Sequence, residues 1–235
     1  EATRKAMVSA MMYPIIIFVI AIGVGVFIML YVVPRFVEIY DSMDNAQIPG
    51  ITLFVLGVSD FLSKYVIWLG LGVVLFLLLF LYLYKNVKAF RTTVQWLVMK
   101  IPGFGNIIIY NEVTMFTKTF ASLLSHNVFI TDSMDILNKV TNNEIYKMMI
   151  LDAITSIAKG EKISTAFKDQ WAFPIPAYEM IVTGEKTGQL PEMMQKVSAY
   201  YQDLHKNAIS RIKTFIEPVM IIFLTVMVGV IVLSI

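Results

Sequence analysis

VIWLGLGVVLFLLLFLYLY, residues 66–84, runs for nineteen residues without a charged side chain. A charge at the centre of a bilayer costs at least about 2.5 kcal/mol. A helix needs roughly 20 apolar residues to cross hydrocarbon about 30 Å thick. The segment meets both conditions. Two other segments resemble it: IIIFVIAIGVGVFIMLYVV, residues 15–33, and VMIIFLTVMVGVIVLSI, residues 219–235. Charged residues make up only 15% of the 235-residue chain, against roughly 25% in soluble domains, so acyl chains rather than water are the expected solvent for these three runs. The chain has no cysteine, which excludes disulfides and thiolate chemistry. Its net charge of +2 gives no reason to expect nucleic acid.

The charges flanking the runs set a topology. Arg4 and Lys5 precede the first, Lys85, Lys88, Arg91 and Lys100 follow the second, and Lys206, Arg211 and Lys213 precede the third. The intervening loop holds Arg35 and Lys64 against Glu38, Asp41, Asp44 and Asp60. The positive-inside rule then puts the N-terminus and residues 85–214 in the cytoplasm, and the acidic loop and the C-terminus outside. The expected fold is an all-α membrane protein with three transmembrane helices and one cytoplasmic helical bundle. Residues 1–33 hold the first span and its lead-in, 34–64 the outer loop, 65–84 the second span, 85–214 a bundle of six-helix type, and 215–235 the third span. Tyr13, Tyr31, Tyr65, Trp68, Tyr82 and Tyr84 stand near the ends of the spans, where amphipathic rings favour the interface. After Pro49-Gly50 the outer loop turns apolar, and Thr52 is a candidate helix cap. A helix there either lies in the interface or runs on into the second span; both arrangements are open.

Within residues 85–214 strand alternation is absent and spacings near 3.6 recur. After Pro102-Gly103-Phe104-Gly105-Asn106, one helix places Val113, Phe116, Phe120, Leu123 and Leu124 on a common face and stops near His126-Asn127. A short helix starts at Thr131 or Asp132, turns Met134, Leu137 and Val140 inward, and breaks at Thr141-Asn142-Asn143. A third groups Ile150, Ile154 and Ile157 and stops at Gly160. Another begins near Ser164-Thr165. Phe173-Pro174 opens the next, which closes at Gly184. Pro191 falls in the first turn of a long last helix, where its missing N–H costs little; Met194, Val197, Tyr201, Leu204 and Ala208 form its stripe. No stop precedes Glu217-Pro218, so this helix is expected to enter the third span and bend at Pro218.

Aligning Pro14 with Pro218 matches Ile17 to Ile221, Val24 to Val228, Gly25 to Gly229 and Val26 to Val230. Such a repeat would make the first span the end of an earlier unit, and the chain is then expected to be the C-terminal part of a duplicated protein. Gly184-Glu185-Lys186-Thr187-Gly188-Gln189-Leu190 resembles the G-E-x-T-G-x-L segment of the type II secretion F family. Glu217-Pro218, Phe116 to Leu124 with Ser125-His126-Asn127-Val128, Asn143, Gly160-Glu161, Phe173-Pro174 and the 49–52 stretch fit it too. Asn127 stands where that family usually has glycine, and asparagine meets the same backbone need. The family's first cytoplasmic domain has no counterpart in the chain.

The resemblance implies a non-enzymatic platform in a bacterial inner membrane that serves type IV pilus assembly or type II secretion. Its implied partners are a hexameric assembly ATPase, pilin or pseudopilin subunits, other inner-membrane assembly proteins, membrane lipid and further copies of itself. Glu185 and Lys186 are the candidate ATPase-facing residues, and Glu217 and Pro218 the candidate pilin-facing or hinge residues. Asn127, Gly160, Gly184, Thr187 and Gly188 read as helix punctuation, with Gly184 ending one helix and Glu185 or Thr187 capping the next. His126 and His205 lack metal-ligand spacing, and no phosphate-binding or zinc-protease motif occurs, so no cofactor or metal is expected. A transporter or channel component, a membrane-embedded enzyme and a passive scaffold are the competing readings.

Overall fold

A computed structural model describes residues 2–32, 34–35 and 50–234. The elements are α1 (Ala2–Phe27), a π-helical segment (Ile28–Val32), α2 (Gly50–Asn86), α3 (Lys88–Lys100), α4 (Phe104–Ser125), α5 (Ile130–Val140), α6 (Glu144–Ala158), α7 (Ser164–Phe167), α8 (Ile175–Thr187) and α9 (Leu190–Ser234). The chain divides into two compact units. One takes in residues up to Phe80 and from Arg211 onward; the other is Leu81–Ser210.

The first unit is made of apolar helix. Among the described residues two helices are long and apolar enough to cross a membrane, Ile15–Val32 and Val55–Asn86, where the sequence leads one to expect three. The third expected run forms the end of α9, which is helical to Ser234, but the side chains of Met227 and of residues 230–235 lie outside the described set. α2 is one helix of 37 residues, so of the two arrangements open for the apolar stretch after Pro49-Gly50, the structure has the continuous one. The acidic residues Glu38, Asp41 and Asp44 of the expected outer loop, and the side chain of the expected cap Thr52, lie outside the described residues. Ile67, Trp68, Leu75, Phe76, Leu78 and Leu81 are exposed along α2, far more apolar surface than a soluble monomer presents. Packing inside the unit runs through buried Ala21, Val55 and Ser59. The Ser59 hydroxyl donates to the Met29 carbonyl in the π-helical turn, where the altered register frees backbone acceptors. The Phe18 and Phe223 rings lie 5.5 Å apart, which joins α1 to the end of α9.

The second unit holds α3 to α8, the last turn of α2 and the first half of α9. Its core centres on Phe116 and Phe120 of α4, Met134 and Leu137 of α5, Tyr146 and Ile150 of α6, Phe167, Phe173, Ile181 of α8, and Met194, Val197 and Tyr201 of α9. Phe116, Phe167 and Phe173 form a ring triangle with centroids 4.7 to 5.9 Å apart, in the tilted and edge-on geometries that aromatic quadrupoles prefer. One sequence expectation fails here, and one helix has no counterpart among the sequence-derived elements. Val140 is 46% exposed: α5 ends on it and the backbone turns extended at Thr141, so buried Thr141 takes the inward place. Residues 88–100, assigned to no element from the sequence, form α3.

Candidate functional site

Three helices of the bundle end in the same way. After α4, Asn127 takes φ 59°, with Val128 N–H donating to Leu123 O (3.1 Å) and Asn127 N–H to Leu124 O (3.0 Å). After α6, Gly160 takes φ 76°, with Glu161 N–H to Ser156 O (2.9 Å) and Gly160 N–H to Ile157 O (2.9 Å). After α8, Gly188 takes φ 70° and Gln189 N–H reaches Gly184 O (3.0 Å). A residue in the left-handed region lets the chain fold back and satisfy the last carbonyls. Asparagine at 127 works because its short polar side chain tolerates that region.

The 184–190 corner departs from its expected reading. Gly184 does not end a helix; α8 continues to Thr187 and Gly188 is the terminating residue. Gly184 is glycine because α9 passes against it: a Cβ there would stand 2.8 Å from Leu190 Cα and 3.0 Å from Leu190 Cδ1. Neither Glu185 nor Thr187 caps the next helix. Thr187 Oγ1 donates back to Thr183 O at 2.9 Å. The Glu185 carboxylate accepts from the Ser164 N–H at 3.3 and 3.4 Å, at the first residue of α7. Lys186 is exposed beside it. Glu217 and Pro218 lie in the other unit, both exposed, with α9 unbroken through the proline. Among the described residues Glu217 forms no ion pair with Lys213 or Arg211.

Among the described residues the most densely bonded polar cluster is one that the sequence does not announce. Glu144 opens α6 with its side chain 2% exposed. It is bonded to the Arg91 guanidinium, with the Lys88 and Lys147 ammonium groups each at 3.7 Å. Gln95 holds the same end of α6: its Oε1 accepts from Glu144 N–H (2.8 Å), and its Nε2 donates to the Tyr84 hydroxyl (3.3 Å). Asn143 caps α6 by accepting from Ile145 N–H (3.0 Å) and Tyr146 N–H (3.4 Å). Tyr146, fully buried, donates its hydroxyl proton to Ala172 O at 2.6 Å. The group pins α3 to α6. The sequence marks Asn143 only as a helix break and a family match; the rest carry no local signal, because Arg91 and Glu144 are 53 positions apart.

A cleft of about 410 Å³ opens beside this cluster, lined by Tyr84, Arg91, Gln95, Glu112 and Asn143 among others. Burial pushes the Glu112 carboxyl up to about 7, and its Oε2 has no hydrogen-bond partner among the described residues. Burial, and then the Glu112 charge, raise the Tyr146 phenol well above its ordinary value. Between pH 4.5 and about 7 the folded chain keeps a proton on Glu112 that the unfolded chain releases. Stability therefore falls as pH rises through that window, by about 2 kcal/mol once partial solvation is discounted. Thermal melts of the detergent-solubilised chain at pH 5 and pH 8 should show this loss, and Glu112→Gln should remove it. Equal pH dependence in Glu112→Gln would reassign the titration to another group.

Among the described residues the chain is helical throughout its regular elements, with two helices of membrane length and a separate helical bundle. The type II secretion system protein F profile matches residues 116–235, and the chain belongs to that family. It is 29% identical to the type IV pilus assembly protein PilC of Pseudomonas aeruginosa over 97% of this chain and 61% of that protein. It is 33% identical to PilC of Thermus thermophilus over 95% of this chain and 55% of that one. Identity to type II secretion system protein F of Pseudomonas aeruginosa is 25%, over the whole chain and 58% of the relative. The chain thus spans a little over half the length of these relatives.

Proposed function

We propose that this chain is part of an inner-membrane platform that couples a cytoplasmic hexameric assembly ATPase to the insertion of pilin or pseudopilin subunits into a filament. Family membership supports the setting, and names of both pilus and secretion proteins occur among the relatives. The observation that carries the coupling is α9. One helix of 45 residues starts with Leu190, Met194, Val197 and Tyr201 buried in the bundle core and ends in apolar sequence. Such a helix can carry displacement from an ATPase-driven bundle through Pro218 to a lipid-facing segment. On this reading residues 85–214 and the N-terminus are cytoplasmic, residues 34–64 and the C-terminus lie outside, and residues 219–235 form a third span. Exposed Lys186 with the bonded Glu185 faces the ATPase, and Glu217, exposed near the start of that span, receives a cationic group of an incoming subunit.

The test is a short Gly/Ser insertion between Ser210 and Arg211 of α9, in a host lacking its own copy of the protein. Filament assembly should be lost while protein level and membrane insertion persist; assembly at the normal level would overturn the coupling. Glu217→Gln should cut assembly without lowering protein abundance. Unchanged assembly would remove Glu217 from the subunit path. Single cysteines at Asp44 and Lys139 should label from opposite sides of the membrane, and labelling from the same side would reject the topology.

A further inference from the structure

We propose that the exposed face of α3, together with Trp171, is an interfacial anchor that rests the second unit on anionic phospholipid headgroups. The proposal relies on the membrane reading of α2 and adds a second lipid-binding surface to it.

α3 follows α2 after a single residue. It does not continue along the α2 axis. A straight helix would rise about 16 Å between Tyr84 and Gln95, too far for the 3.3 Å hydrogen bond that joins their side chains. The middle of α3 therefore lies beside the last turn of the candidate span, where Leu81 and Tyr82 are exposed. The outward face of α3 carries Ala89, Thr93, Trp96, Leu97 and Lys100 at helical spacing, all exposed, and the turn after it exposes Ile101 and Phe104.

The Lys100 ammonium links this face to a distant part of the chain. It stands 4.3 Å from the Trp171 ring centroid and 5.9 Å from that of Trp96. Two exposed indoles around a lysine are unusual on a surface meant for water. At a bilayer interface they match the environment, because indole prefers the headgroup level and a lysine stem buries its methylenes while its ammonium reaches phosphate.

Charge identifies the occupant. No Asp or Glu occurs in residues 85–111, while Lys85, Lys88, Arg91 and Lys100 do. Arg91 and Lys88 both pair with Glu144, and the exposed Lys85 and Lys100 supply the outward charge. Near Trp171, exposed Lys168 and Asp169 offset each other. The result is a basic, aromatic-rich face contiguous with a membrane helix, the chemistry of an interfacial helix on anionic lipid.

The chain has only three tryptophans, which makes the test direct. The full chain is reconstituted into vesicles of phosphatidylglycerol with phosphatidylcholine brominated at shallow or deep acyl positions. In Trp68→Phe the remaining indoles, Trp96 and Trp171, should lose roughly half their emission to shallow bromines and less to deep ones. Lys100→Glu in that background should weaken the quenching. In the companion variant Trp96→Phe/Trp171→Phe, Trp68 reports the span. Quenched Trp68 with unquenched Trp96 and Trp171 overturns the anchor and leaves the span standing; unquenched Trp68 overturns the membrane reading itself. A single cysteine at Leu97 that forms disulfide-linked dimers, with both bundle indoles unquenched, would give the face to a second copy of the chain instead.

Discussion

Arg91→Leu should destabilise the bundle by about 3 kcal/mol, lowering its thermal midpoint by on the order of 10 °C. The guanidinium is the nearest cation to Glu144, a carboxylate whose side chain is 2% exposed. Losing one partner of a buried pair strands the other, which is why such losses usually cost about 3–5 kcal/mol. Lys88 and Lys147, each 3.7 Å away, remain in Arg91→Leu and hold the cost to the lower end. Lys88 is itself 70% exposed, so Lys88→Ala should cost under about 1 kcal/mol. Glu144→Leu should cost less than Arg91→Leu, because Arg91, 29% exposed, can turn to water. The double variant Arg91→Leu/Glu144→Leu should therefore recover part of the single Arg91 loss. Additive costs in that cycle, read from melts of the solubilised chain, would show that the pair does not interact.

What the sequence revealed followed from whether each signal was local. Uncharged runs close to the thickness of a bilayer's hydrocarbon core show in any single stretch, so residues 15–33 and 66–84 stand out as candidate spans from solvation alone. Chain reversals at Asn127 and Gly160 were visible because a left-handed backbone leaves few residue types to choose from. Gly184 was misread for a related reason. Glycine marks both a helix end and a place where another backbone comes close, and only the position of Leu190 tells the two apart. α3 escaped notice because its buried side is thin: Met99 is its one fully buried residue, and Trp96 and Leu97 face outward. The Glu144 cluster was invisible because its partners come from α3 and α6, and charge pairing across 53 positions leaves no periodic trace. The Glu185–Ser164 link was hidden in the same way, since residues read as punctuation for the following helix serve one that comes before.

Gly184→Val should cost about 3 kcal/mol, at the upper end of the penalty for overpacking, and should cost clearly more than Gly188→Ala. The two glycines lie four residues apart in one turn yet meet different demands. At Gly188 the backbone sits at φ 70° with open space around a prospective Cβ, so alanine pays only the left-handed penalty of about 1–2 kcal/mol. At Gly184 the backbone is helical and tolerates any side chain, but the added Cβ meets the Leu190 Cα at 2.8 Å. A main-chain atom cannot rotate away as a flexible side-chain tip can, so the start of α9 must move off α8. Leu190 is buried and Met194 and Val197 follow it into the core, and this displacement passes to the helix proposed to transmit force. The expected signature is faster amide hydrogen exchange around residues 184–197, together with loss of filament assembly at temperatures where the bundle remains folded. Gly184→Ala, with the smallest possible Cβ, should fall between the other two variants. If Gly188→Ala proved the more damaging substitution, the corner would depend on its reversed backbone and not on the close passage of the two helices, and α9 would be free to shift without disturbing α8.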